Sequence, residues 1–215
     1  MLILKQFDVR LIRLELEHIE LLRSWRNAAH VKNQMVYRDY ITEEMQSAWF
    51  ASINNQTNYY FMIEFENQLV GLINAKNYQK DVGFGEGGIF IGEKEFEDSL
   101  AAVYASLTLL NFVFHFLPHI QYSKVKILKS NARAIQYNKL LGYVEQEGAQ
   151  EEHDQLYTLT RERYLQKAFR LNQAAKSYSK GSSEMELIGI PSERNMKEIN
   201  DLLQSKTPPR AIPGL

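Results

Sequence analysis

The sequence contains no cysteine. That excludes disulfide bridges, thiolate metal ligands and a cysteine nucleophile. It also has little net charge: 25 Lys and Arg against 26 Asp and Glu leave −1 at pH 7. No surplus of either sign points to nucleic acid or another polyion as a partner. The N-terminal stretch MLILKQFDVRLIRLELE is interrupted by charges throughout and lacks the layout of a secretory signal, so a cytoplasmic protein is expected. Repeats and low-complexity tracts are absent. One stretch lacks charge altogether: Ser99 to Ser123 holds no Asp, Glu, Lys or Arg. Its apolar run, Leu100 to Leu117, approaches the length of a membrane span. Ser106, Thr108, Asn111 and His115 interrupt it and Pro118 closes it, so a core helix is expected and a membrane location is not.

What is present fits an ordinary globular chain. With 215 residues, 45% of them hydrophobic and 24% charged, one domain plus an appendage is expected. Asp8 to Leu14 reads as a strand. His18 to Asn27 and Thr42 to Asn54 read as helices, the second opened by Thr42 with Glu43 and Glu44 in its first turn. Tyr59 to Phe65 and Leu69 to Ala75 flank Glu66-Asn67-Gln68 as a hairpin, and Glu86 to Gly92 makes a fourth strand.

The most informative stretch is Ser123 to Gly148, SKVKILKSNARAIQYNKLLGYVEQEG. Ser123, Val125 and Ile127 alternate with lysines, the pattern of a half-buried strand. Asn131 suits a helix N-cap. Ala134, Ile135, Leu140 and Leu141 share a helical face, and Gly142 suits a left-handed helix stop. Asn131, Ala134, Ile135, Leu141, Gly142 and Tyr143 together resemble the last block of the GNAT acetyltransferases, which move an acetyl group from acetyl-CoA to an amine. The upstream element order resembles theirs too, over about residues 8 to 165. Trp25-Arg26-Asn27 and Thr42 to Trp49 further resemble the branch that acetylates nucleotide-linked amino sugars. Protein N-terminal and ribosomal-protein acetyltransferases share much of that pattern.

The resemblance implies an α/β (α+β) fold, a mixed, mostly antiparallel sheet flanked by helices. It also implies acetyl-CoA as co-substrate and a small-molecule amine as acceptor; no metal is expected. The fourth and fifth strands should part near Phe90, so that the pantetheine arm pairs with the backbone of Ile89, Phe90 and Ile91. The pyrophosphate should meet Leu100 and Ala102 at the next helix start, and Asn131 is a candidate cofactor contact. Glu86 is the candidate general base, with His30, His115, His119 and His153 as alternatives. A metal pair at His115 and His119 is disfavoured by Pro118. The family's acid is a tyrosine at the position held here by Asn138, with Tyr137 one place earlier. Trp25, Arg26 and Asn27 are the candidate acceptor contacts, Arg26 through a substrate phosphate or else in a surface ion pair with Glu20 or Glu43. Tyr37, Tyr40, Tyr59 and Tyr60 are candidate stacking surfaces or half-buried core.

Two features depart from that pattern. Glu97 and Asp98 put negative charge where phosphates should sit. They, or Ser99, suit the capping of their own helix instead. A GNAT-fold module without catalysis, acting in binding or assembly, is therefore the alternative function. The second departure is the C-terminus. Residues 1–172 are expected to form the GNAT-like domain and 173–215 a linker plus extension. Gln173 to Glu184 is the linker, Met185 to Ile190 a short strand and Glu193 to Gln204 an amphipathic helix. The extension either packs on its own domain or docks a second copy in a homodimer.

Overall fold

The computed structural model describes residues 1–79, 83–150, 153–205 and 212. Nine strands form one sheet in the order β7-β8-β6-β5-β4-β3-β2-β1-β9. They are β1 (Leu2–Gln6), β2 (Val9–Arg13), β3 (Tyr59–Phe65), β4 (Gln68–Gln79), β5 (Phe84–Ile91), β6 (Tyr122–Leu128), β7 (Val144–Gln150), β8 (Asp154–Thr160) and β9 (Glu186–Gly189). Every pairing is antiparallel except β5 with β6. The fold is therefore the mixed, mostly antiparallel sheet expected from the sequence.

Helices α1 (Ile19–Asn27), the short α2 (Ala29–Lys32) and α3 (Glu43–Ile53) precede the central strands. Helices α4 (Ala101–Asn111), α5 (Ala132–Leu141), α6 (Arg161–Tyr178) and α7 (Lys197–Gln204) follow. The two faces of the sheet carry separate cores. On one, Leu22 and Trp25 of α1 and Phe50 of α3 pack with Ile12, Tyr60, Met62 and Leu72. On the other, Tyr104 and Leu107 of α4, Leu141 of α5, Tyr164 of α6 and Ile199 of α7 join Phe61, Ile63, Val125 and Tyr157.

Local chemistry fixes the best-predicted elements. Thr42 Oγ1 accepts the Met45 N–H at the start of α3. Asn131 Oδ1 accepts the Ala134 N–H at the start of α5, 3.0 Å away. Gly142 ends α5 with φ +105°. Glu66 and Asn67 both have positive φ, making a tight two-residue hairpin between β3 and β4.

Four expectations need correction. The first strand is preceded by another, β1, which forms a hairpin with it. The uncharged helix stops at Asn111 and continues as a π-helical turn over Phe112–Phe116. Neither Asp98 nor Glu97 caps α4: its N-cap position is Leu100 with no side-chain cap, and Ser99 Oγ accepts only the Ala101 N–H. Lastly, α6 runs unbroken through residue 172 to Tyr178, with Asn172 and Ala175 buried along it, so the first half of the expected linker is helix.

The C-terminal extension lies on its own chain. The strand β9 pairs along β1. Arg13 donates from Nη1 to Asn195 Oδ1, and the Tyr59 hydroxyl accepts the Met196 N–H at 2.6 Å. Among the described residues no helix is long and apolar enough to cross a membrane.

Candidate active site

The two parallel strands separate. Among the described residues, β5 and β6 are paired only at Phe84–Tyr122, Gly85–Ser123 and Glu86–Lys124. Beyond that point Gly87–Ile91 stays with β4, while Val125–Leu128 stays with β8. One edge of β5 thus carries unpaired main-chain groups from Gly87 onward. The parting begins before Phe90, the position expected for it. A cavity of about 600 Å³ opens there, with Gly87, Ile89 and Phe90 on one wall and Asn131, Ala134 and Asn138 on another. It reaches across to α1 and α3 through Arg26 and Gln46, and to the extension through Met196 and Ile199.

The glycines keep this region open. A Cβ on Gly85 would meet nothing within 4 Å, whereas one on Gly87 would lie 3.2 Å from Val125 Cγ1 and 3.7 Å from the Tyr143 hydroxyl. The Tyr143 hydroxyl is 2.9 Å from Ser123 Oγ, beside the last paired residues of β5 and β6. Burial pushes the Tyr143 phenol up to about 12.

The residues expected to bind the donor divide. Ile89 and Phe90 line the cavity. Ile91 does not, and its side chain packs on the larger core. Leu100 is 46% exposed and is not among the described cavity residues, and the Ala102 carbonyl accepts the Tyr137 hydroxyl at 3.2 Å. Asn131 lines the cavity while capping α5. Arg133 reaches from α5 to the loop before α4: its Nη1 lies 2.9 Å from Asp98 Oδ1, and its Nη2 donates to the Glu97 carbonyl. Glu97 and Asp98 therefore serve a bridge from α5 to the loop before α4.

The proton-handling candidates are tied down. Glu86 is absent from the described cavity wall; it pairs with Lys76 Nζ at 2.9 Å and accepts from Asn77 Nδ2 at 3.1 Å. Tyr137 is held well above the usual phenol range, first by burial, and Asn138 Nδ2 donates back to the Ala134 carbonyl. His30 Nε2 sits 2.9 Å from the Gly92 carbonyl. His115 is pulled down by burial and then by Arg161, and His119 stacks edge-on against Tyr78. His153 lends its backbone carbonyl to the Lys129 N–H. None of these histidines is among the described wall residues, and no metal-binding cluster occurs among the described residues.

Of the three expected acceptor contacts, only Arg26 reaches the cavity. Trp25 is core: its ring lies against Gly92 and its Nε1 donates to Glu93 Oε1 at 2.8 Å. Asn27 clips the chain, donating to the Ile41 carbonyl and accepting the Ile41 N–H, each at 2.9 Å. The surface ion pairs offered to Arg26 belong to Arg23 instead, which binds Glu20 at 2.6 Å and Glu43 at 3.4 Å. Among the tyrosines, Tyr37, Tyr59 and Tyr60 line the cavity, and Tyr40 is exposed and accepts from Arg23.

Several wall residues were not legible as such. Gln46 is a polar side chain in an amphipathic helix and reads as solvent-facing, yet it is buried. Asn74, Lys76 and Lys126 read as the polar sides of their strands.

Comparison with known proteins agrees with this geometry. The sequence profile of the acetyltransferase (GNAT) domain matches residues 8–144, more than half of the chain. A search of the curated proteins gave no match. Among solved structures, the fold is similar to a Vibrio cholerae spermidine N-acetyltransferase in complex with CoA and spermine. That likeness has a TM-score of 0.67 and 16% identity over 74% of this chain and 98% of that one. It is similar as well to apo FdhC, a nucleotide-linked sugar GNAT, at TM-score 0.65 and 17% identity over 77% and 94%. A domain from Methanocaldococcus jannaschii aligns at TM-score 0.59 and 20% identity over 74% and 98%. With the profile covering the strands that part and the helix that follows them, the chain belongs to the GNAT acetyltransferase family.

Proposed function

We propose that the protein transfers an acetyl group from acetyl-CoA to the primary amine of a small molecule, with a nucleotide-linked amino sugar as the candidate acceptor. The observation that carries this reading is the end of β5–β6 pairing at Glu86–Lys124, with a cavity at the parting. An extended pantetheine amide chain can pair with the free edge of Gly87–Ile91 as a strand would. A main-chain N–H on that edge can then hold the thioester oxygen as it gains charge during attack. Nothing has to rearrange to create these donors, since β4 satisfies only the other edge.

The amine attacks the carbonyl carbon, the C–S bond breaks, and the electron pair leaves on sulfur. A proton must leave the nitrogen and one must reach the sulfur. Glu86 stands beside the cavity with its charge neutralised by Lys76, so it acts through an intervening water. The leaving thiolate has the basicity of an ordinary thiol, pKa about 8.5, and needs only a hydroxyl or water. Asn138 offers neither, and Tyr137 is committed to Ala102. The Ser123–Tyr143 pair supplies hydroxyls on the cavity wall.

A second reading rests on the Arg133 bridge. Glu97 and Asp98 stand just before α4, where the family resemblance puts the pyrophosphate, and are held there by Arg133; a module that no longer binds CoA would tolerate them. Calorimetric titration with acetyl-CoA separates the two. Sub-millimolar binding, lost when Ala134 on the cleft wall is changed to Trp, supports the enzyme. Absence of heat at millimolar acetyl-CoA leaves the module.

A further inference from the structure

The acceptor side of the cavity has a charge pattern of its own. Its described wall residues include three cations, Arg26, Lys76 and Lys126, and no Asp or Glu. Lys76 is already paired with Glu86. The Arg26 Nε is buried without an acceptor among the described residues, and the nearby carboxylates Glu20 and Glu43 are engaged by Arg23. Burial lowers the Arg26 pKa, opposed only by the Tyr60 phenol, yet a guanidinium keeps its charge at neutral pH.

A second polar side chain lines the same cavity. Gln46 on α3 is 4% exposed, and its Nε2 donors have no acceptor among the described residues. A buried N–H left unpaired on a half-buried guanidinium and a buried unpaired amide are each costly. Two such groups on one wall, contributed by facing helices α1 and α3, are explained if something else completes them.

We infer that Arg26 and Gln46 form an anion subsite, and that the acceptor amine carries a carboxylate or phosphate bound there. This rests on the acetyl-transfer reading for its catalytic meaning, though not for the binding itself. A guanidinium fork presents two parallel N–H donors to either anion, and the Gln46 amide adds a third. The same wall repels polycations. Spermidine, the acceptor named for one structural neighbour, would bring several positive charges to a surface with no described carboxylate.

The test uses the full chain and measures binding directly, with CoA present, so that turnover is not needed. The probes are glucosamine 6-phosphate against glucosamine, β-alanine against β-alaninamide, and spermidine. The anionic member of at least one pair should bind tighter by on the order of tenfold to a hundredfold, and spermidine should not bind. The first pair reports phosphate and the second carboxylate. Arg26→Met should abolish the difference within the pair, Arg26→Lys should keep part of it, and Gln46→Glu should reverse it, each in a variant that retains the wild-type far-UV spectrum. The subsite is refuted if neither anion is preferred, if spermidine binds best, or if Arg26→Met leaves the preference intact. Acetyl-CoA is titrated separately. If it fails to bind while an anion preference dependent on Arg26 persists, the acetyl-transfer reading falls and the subsite stands.

Discussion

Changing Gly92 to Ala tests whether Trp25 is a structural wedge. Gly92 follows β5, and a Cβ there would lie 2.2 Å from Trp25 Cδ2 and 2.4 Å from Cγ. Real contacts are about 3.5–4.0 Å, so one element must move by more than an ångström. The indole cannot yield freely, because it is buried among Leu22, Leu72 and Phe90 and hydrogen-bonded to Glu93. Overpacking of this kind costs about 1–3 kcal/mol, and for a chain of this size each kcal/mol lowers Tm by about 2–4 °C. Trp25→Ala alone should cost about 3–5 kcal/mol through the cavity it leaves. The double variant should then cost no more than Trp25→Ala, because the clash has gone, giving a coupling of about 1–3 kcal/mol. Urea unfolding followed by fluorescence is suited to this, since Trp25 and Trp49 are the two tryptophans. The acceptor KM of Trp25→Phe should match wild type, as Trp25 is not among the described cavity residues. Strict additivity of the two losses, or a Gly92→Ala cost within about 0.5 kcal/mol of zero, refutes the packing argument.

Three further outcomes are expected. Glu97→Gln with Asp98→Asn should tighten acetyl-CoA binding and weaken its salt dependence, with Tm nearly unchanged because neither residue caps α4; looser binding would refute the repulsion. Tyr143→Phe should lower kcat by about tenfold or more if the phenol protonates the thiolate, whereas a loss confined to stability would assign it to the core. The depressed pKa of His115 means that the unfolded chain binds its proton more readily. Stability should therefore fall as pH drops through about 6.5, and His115→Phe should flatten that fall in urea titrations at pH 5 and 7.

Much of the fold was legible where a single side chain decides a boundary. Asn131 and Thr42 each satisfy an orphan N–H at a helix start, and Gly142 takes a conformation that a side chain would strain. Less was legible where tertiary contact overrides local pattern. β1 was missed because Leu2, Ile3 and Leu4 are all buried, two on one face and one on the other, so no alternation marks the strand. The end of α6 reads as small and polar, yet Ala175 is buried in the core. At the site, Trp25-Arg26-Asn27 ends α1, but three consecutive helical residues point in directions about 100° apart. Only one of them could face the cavity, and spacing alone could not say which. Asp98 illustrates the opposite failure, since a good capping residue found a stronger partner in Arg133, distant in sequence.

The position of β1 bears on how the molecule is made. One neighbour comes from residues 9–13, the other from residues 186–189. During synthesis at about 5–20 residues per second, the outer rim of β1 stays bare for roughly ten to forty seconds, until residues 186–189 leave the ribosome. A bare rim beside Leu2, Ile3 and Leu4 is a template for another nascent chain, so β9 doubles as a late-arriving guard against aggregation on crowded polysomes.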